Sequence, residues 1–204
     1  MSERNGGAKI GGLVLAAGAA RRFGSPKQLA TLDGRPLLEH ALAAMAAAVS
    51  VGPTVVVLGS NADEILARVD LHGARAVICA DWEEGQSASL RVGVAALRDG
   101  VEAIVVTLGD QPAIDARAID RVAGARAADV VAIRATYGGR PGHPVLLEHD
   151  TFGALAGLRG DEGARNLFAG LDVALVECDG LGSDLDVDTV EQLRLSAGGS
   201  SSPS

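Results

Sequence analysis

At 204 residues with 48% hydrophobic side chains, the chain is long enough for one well-buried core and short for two. Aromatic residues make up 2% and the formal net charge is −8. An acidic surface with few stacking rings argues against nucleic acid as a partner and confines any anion site to a local positive pocket.

The first element in chain order is Ile10 to Ala16, apolar on both sides as a strand buried on both faces of a parallel sheet would be. Arg4 and Lys9 ahead of it imitate a short signal peptide, but cleavage near Ala19 would remove the strand together with half of the loop that follows, so the segment reads as structure. In that loop Ala17, Gly18, Ala19 and Ala20 keep side chains short, so backbone N–H groups can approach phosphate oxygens. Arg22 offers a planar fork and Lys27 a compact point charge where negative charge builds in phosphoryl or nucleotidyl transfer. The spacing excludes the familiar phosphate loops. GxxxxGK[ST] fails because Lys27 lies three residues past Gly24 and is followed by Gln28, and GxGxxG fails because no glycine stands between Gly18 and Gly24.

Further apolar runs recur at Thr54 to Leu58, Ala76 to Cys79, Ala103 to Leu108, Val130 to Ile133 and Val173 to Val176. Helical patterns lie between them. Pro36 to Val49 opens with proline in a first-turn position, and Ala62 to Val69 follows Asn61 as a cap. Ser87 to Leu97 sets Leu90, Val94 and Leu97 on one face, and Ala116 to Ala128 follows Asp115 as a cap. This alternation predicts a single α/β domain with a mostly parallel, Rossmann-like sheet and helices on both faces. The uncharged stretch Ala41 to Ala62 is long enough to span a bilayer, but Ser50, Gly52 and Pro53 interrupt it, and it reads as helix, turn and buried strand. Gly138, Gly139, Pro141, Gly142 and Pro144 predict an irregular loop or hairpin over an acceptor substrate. Residues 197–204, with GGSSSPS, predict a disordered tail beyond a domain over 1–196. Cys79 and Cys178 lack CxxC spacing and sit in apolar surroundings, so they read as buried thiols, consistent with a reducing cytoplasm.

The second chemical block, Leu108-Gly109-Asp110-Gln111-Pro112, follows a buried run, and open α/β sheets bind ligands at the carboxyl ends of their strands. Asp110 is therefore a candidate ligand for Mg²⁺, which takes one or two carboxylates while nucleotide phosphates fill other positions. Asp186 and Asp188 can bring a second carboxylate, and Asp188 reads equally as the cap of the last helical pattern. Gly85, Ser87 and Ser89 fall at a helix start, where unpaired N–H groups and small hydroxyls can serve a ligand or simply form a cap. His143, held between Pro141 and Pro144, is an acceptor-side contact or a structural group, and Arg165 can reach a phosphate or pair with a carboxylate.

The residues as they stand resemble the signature LAAGxSxRMGxxK of the MobA-like nucleotidyltransferases and, within them, the molybdenum cofactor cytidylyltransferase branch. Four blocks carry the resemblance in order: LAAGAARRFGSPKQL, GQSASL at Gly85 to Leu90, LGDQP at Leu108 to Pro112, and DVDT at Asp186 to Thr189. GRPGHPVL at Gly139 to Leu146 and GDEGAR at Gly160 to Arg165 extend it over nearly the whole chain. Ala20 stands where the family has serine and Phe23 where it has methionine.

The resemblance implies a nucleotide-diphospho-sugar transferase type of fold. It also implies a nucleotide site over Leu15, Ala16, Ala17, Gly18, Arg22, Lys27, Gly85, Ser87, Ser89 and Asp110, and a Mg²⁺ site over Asp110, Asp186 and Asp188. Ala17 occupies the place that separates LAAG from the guanylyl branch's LAGG and so favours CTP. The implied acceptor is the molybdenum-pterin cofactor, bound with His143 and Arg165 nearby, in a cytoplasmic enzyme that meets a molybdenum hydroxylase or its chaperone transiently. Transfer to another phosphorylated acceptor from GTP or CTP, and a non-catalytic carrier of the pterin cofactor, are the alternatives; Arg22, Lys27 and Asp110 together speak against the carrier.

Overall fold

The structure, a computed structural model, describes residues 9–18, 26–160 and 172–183. The chain runs through β1 (Ile10–Ala16), a small hairpin of β2 (Thr31–Leu32) and β3 (Arg35–Pro36), α1 (Leu37–Ala47), β4 (Val51–Leu58), α2 (Ala62–Arg68) and β5 (Arg75–Ile78). It continues with α3 (Gln86–Leu97), β6 (Ala103–Leu108), α4 (Ala116–Gly124), β7 (Ala132–Tyr137), β8 (Arg140–Glu148), α5 (Phe152–Leu155) and β9 (Val173–Glu177). Each expected run contributes a strand, extended by one to four residues at several ends, while Cys79, Val130 and Val131 fall outside the strands.

Seven strands make one sheet in the order β5-β4-β1-β6-β8-β7-β9. β5, β4, β1 and β6 are parallel, so their carboxyl ends share one edge. β1 is buried along its whole length, as a strand covered on both faces must be. Val14 and Ala16 join Leu38, Leu42 and Met45 of α1 and Ile119 and Val122 of α4 in one core layer. Leu13 and Leu15 join Leu90, Val94 and Leu97 of α3, with Phe152 and Leu155 of α5, in the other. Gly93 lets α3 settle on β1, because a Cβ there would collide with the side chain of Leu13. The expected single α/β domain with helices on both faces is what forms.

Caps behave as local chemistry dictates in one case and not in another. Asp115 accepts a hydrogen bond from the Arg117 backbone N–H at 2.8 Å and starts α4. Asn61 precedes α2 but donates its amide to Ser60 Oγ at 3.0 Å instead of capping. The Asp115 carboxyl is held below its ordinary value, first by the side-chain hydrogen bonds of Arg117 and then by the backbone one. Because the folded pKa is depressed, this cap stabilises fully above about pH 4, the ordinary value being 3.8, and its contribution fades as pH falls further. Asp115→Ala is expected to lower unfolding free energy by about 1 kcal/mol at pH 7, measured in urea, and by less at pH 3.

Of the irregular loop or hairpin expected after Tyr137, the hairpin is what forms, β7 and β8 pairing antiparallel. Gly138 and Gly139, with φ of 55° and 74°, make its turn, and Arg140–Glu148 runs as a strand in the middle of the sheet and not as a loop over its edge. β8 pairs with β6 only from Val145 to Glu148, so Pro141 and Pro144 remove no hydrogen-bond donor from that ladder. The Ala41 to Ala62 stretch resolves into the end of α1, a turn, β4 and the first residue of α2, and no helix among the described residues is long and apolar enough to cross a membrane. Cys79 and Cys178 are buried free thiols.

Candidate active site

The carboxyl edge of the parallel strands is where the chemically distinctive residues gather. After β1 the chain continues through Ala17, which is buried, to Gly18, which is exposed and whose added Cβ would meet nothing within 4 Å. Among the described residues nothing blocks approach to the backbone at Gly18. The loop is held by Gln28: its side-chain amide donates to the carbonyl oxygens of Ala16 and Gly18, both at 2.8 Å. Gln28 sits in a single 3-10 turn, Lys27–Leu29, and is buried. Where a Walker loop carries a hydroxyl for a metal, this chain carries an amide that fixes loop shape.

Lys27 opens the same turn, and its ammonium lies 2.9 Å from Asp110 Oδ2. The lysine side chain is 11% exposed and that of the aspartate 35%, so the cation is nearly withdrawn from water while the carboxylate still faces it. A buried ammonium requires such a partner. Asp110 is delivered by the end of β6, which lies beside β1 with Leu108 opposite Leu15. Gly109 then donates its N–H to the Leu15 carbonyl at 2.9 Å. Only glycine fits at 109, since a Cβ would stand 2.8 Å from Leu38 Cδ1 and 2.9 Å from Ala16 Cβ.

The donor set here suits a hard cation shared with phosphate oxygens rather than a protein cage. Asp110 Oδ1 takes no hydrogen bond among the described residues, and among them no group of three or more His, Cys, Asp or Glu converges. One carboxylate that still faces water is the arrangement in which Mg²⁺ keeps most of its ligands from water or substrate. Arg22, Arg165, Asp186 and Asp188 lie outside the described residues.

On the other side of β1, β4 ends at Leu58 and Gly59 passes directly beneath Ala17. β5 leads through a turn at Trp82–Glu84 to Gly85, whose φ of 104° no other residue adopts easily, and α3 begins. Ser87 is fully buried, with no hydrogen-bond partner for its Oγ among the described residues, and Ser89 is buried too. Ala88 belongs to the same apolar cluster as Ala17, which joins this helix start to the segment after β1.

Beyond Asp110 comes β8. Continuing its register with β6, in which Val106 faces Val145, sets His143 across from Leu108 at the same edge. His143 is half-buried, and its imidazole pKa is pushed down to about 4, first by burial and then by the Arg134 guanidinium. Arg134, on β7, donates from Nε to the Gly142 carbonyl at 3.1 Å and from Nη2 to that of Pro141 at 3.3 Å. With a folded pKa below its ordinary 6.5, His143 is neutral at pH 7 and is charged more readily in the unfolded chain. Stability is thus expected to fall as pH drops from about 6.5 towards 4, and urea titrations of a His143→Gln variant are expected to lose that part of the slope.

The structure brings together Leu15, Ala16, Ala17, Gly18, Lys27 and Asp110, and places Gly85, Ser87, Ser89 and His143 along the same edge. Sequence reasoning missed Gln28, Gly59 and Arg134. Gln28 carried a readable signal, a polar residue amid an apolar turn next to Lys27; Gly59 and Arg134 acquire their roles only through neighbours distant in sequence. A separate cavity of about 510 Å³ opens at the opposite sheet edge, where Arg126 grips Glu148 with hydrogen bonds of 2.6 and 2.7 Å, and it shares no residue with this site.

A mostly parallel sheet whose central strands end in a small-residue segment at Ala17–Gly18, a buried lysine and an aspartate has the layout of an α/β domain of the nucleotidyltransferase class. The chain belongs to the MobA-like NTP transferase domain family, whose model matches residues 12–176. It is 33% identical over 195 residues to the nicotine blue oxidoreductase of Paenarthrobacter nicotinovorans, covering 90% of this chain and 94% of that one. The 2-C-methyl-D-erythritol 4-phosphate cytidylyltransferase of Streptomyces avermitilis is 30% identical over 122 residues, 57% of this chain and 49% of its own. Among solved structures, Rv0371c from Mycobacterium tuberculosis H37Rv superposes with a TM-score of 0.82 at 32% identity, covering 93% of this chain and 97% of that one. Its complex with manganese gives 0.76 at 29% identity, covering 93% and 98%.

Proposed function

We propose that this protein transfers CMP from CTP to the phosphate of the molybdenum-pterin cofactor in the cytoplasm, releasing pyrophosphate. The observation that carries the reading is the Lys27–Asp110 pair at 2.9 Å beside Gly18, where no described residue crowds the backbone. A buried ammonium and a part-exposed carboxylate at one strand edge serve a triphosphate and its counter-cation together. The membership in an NTP transferase family, the cytidylyltransferase relative and the manganese complex of a similar structure support it.

Little covalent work falls to the protein. The acceptor phosphate is already ionised near neutral pH, so it attacks the α-phosphorus in line without a general base, and the bond to pyrophosphate breaks. Backbone N–H groups around Gly18 orient the triphosphate, and Gln28 holds that loop in shape before substrate arrives. Lys27 stabilises charge developing between the α- and β-phosphates, and Arg22 adds a second cation. Asp110, with Asp186 or Asp188, would hold Mg²⁺, which supplies charge neutralisation on the phosphate oxygens when bound. His143 stays neutral on the acceptor side.

The test is pyrophosphate release with Mg²⁺ and each of CTP, GTP, ATP and UTP, with and without molybdenum-loaded pterin cofactor, and Asp110→Ala as control. Release that needs CTP and the cofactor and vanishes in the variant is expected. Release with another nucleotide or acceptor, or none from folded protein, overturns the reading. The relative named nicotine blue oxidoreductase gives one specific reason for a second reading, redox turnover of that dye. The loop's lack of a GxGxxG fingerprint speaks against it, and an absorbance assay of nicotine blue on the same preparation decides it.

A further inference from the structure

Along the carboxyl edge the order of groups is set by the strand order: Trp82 and Gly85 after β5, Gly59 after β4, Ala17 and Gly18 after β1, Gly109 and Asp110 after β6, then His143 on β8. Four strand spacings of about 4.8 Å separate the two ends, roughly 19 Å, room for a nucleotide and an acceptor end to end. The triphosphate centre, Lys27 with Asp110, lies between them, so the nucleoside extends to one side and the acceptor to the other.

The two sides differ in chemistry. Towards β8 stand His143 and the Arg134 guanidinium, a cation suited to an anionic acceptor. Towards β5 the partly exposed groups are the Trp82 indole, Gly85 and Gln86, with the small residues Ser87 to Ser89 buried behind them and no side-chain cation at Gly59, Trp82 or Gly85 to Ser89. Trp82 is the chain's single tryptophan. It packs on the cluster holding Ala17, Val57, Cys79 and Ala88 while staying partly exposed. Its Cγ would lie 3.0 Å from a Cβ built at Gly59, the residue beneath Ala17. An aromatic face beside a phosphate loop is a stacking surface for a base, and nothing anionic gains from it.

We infer that Trp82 forms the wall of the base-side subsite and sets the preference for a pyrimidine by filling the space a purine would need. This rests on the nucleotidyl-transfer reading. The indole face lies against the base, so removing it costs stacking for either nucleotide and opens room that benefits the larger one.

The experiment measures nucleotide affinity by calorimetry on the full chain with Mg²⁺, with tryptophan emission followed in parallel, for CTP and GTP. CTP is expected to change the emission of the native protein. Trp82→Ala is expected to bind CTP about tenfold more weakly, with a smaller loss for GTP so that the CTP-to-GTP ratio narrows, while Trp82→Phe stays within about threefold of the native protein. A packing role alone would lower the melting temperature and leave that ratio unchanged. An unchanged ratio in folded Trp82→Ala therefore overturns the inference whatever the emission does. Absence of nucleotide binding by the native protein overturns the transfer reading itself, and the inference falls with it.

Discussion

Replacing Lys27 by alanine is expected to lower turnover by about a hundredfold or more in protein that still folds, the scale seen when one preorganised charge-stabilising donor is removed. The geometry separates this loss from a loss of structure. Asp110 is 35% exposed, so the carboxylate freed by the substitution can be hydrated, and the variant leaves no deeply buried charge behind. Ground-state binding of the triphosphate is expected to change less than turnover, because Gly18 and the Gln28-braced loop are untouched. Lys27→Arg is not a rescue: the ammonium fits in a nearly closed space 2.9 Å from one carboxylate oxygen, where a guanidinium fork is too wide. Steady-state pyrophosphate release reads both variants, and near-native turnover in Lys27→Ala would remove the lysine from the chemistry.

What the sequence discloses follows the range of each physical signal. Runs such as Ala103 to Leu108 announce a buried strand because the signal is local, and the structure gives that strand with the same ends. Parallel pairing was legible for the same reason, since helical patterns between strands leave few other topologies. The strand Arg140–Glu148 was legible only as one of two alternatives, because its prolines and glycine read as an irregular loop or a hairpin by local rules. It is a strand because its lower half is covered by β6 and β7 together, a condition written elsewhere in the chain. Within the site, Lys27 and Asp110 were legible as charges in small-residue loops. Their contact across 83 positions was not, and it depends on Gly109 passing close to Ala16 and Leu38. Gln28 served the sequence reading only as a departure from a Walker loop, and its two hydrogen bonds make it the brace of the loop instead.

Gly59→Ala is expected to cost about 2–3 kcal/mol of stability, the scale of overpacking against atoms that cannot yield. A Cβ there collides with the Ala17 carbonyl oxygen and stands 3.0 Å from its carbon, and both are backbone atoms of the phosphate loop. Relief requires the loop to lift or the end of β4 to drop, and β4 is fixed by its parallel register with β1, where Leu58 faces Ala16. The loop is therefore the part that moves, so nucleotide binding should weaken along with stability. For a chain of this size the melting temperature should fall by roughly 4–12 °C, and the rise produced by Mg²⁺ with nucleotide should shrink. Gly52→Ala is the matched control: its Cβ would meet Ile10 O at 3.5 Å, an ordinary contact, at the far end of the same strand. A Gly59→Ala protein that melts like the native one and is stabilised as strongly by nucleotide would mean that the shape of the Ala17–Gly18 loop is not set from beneath.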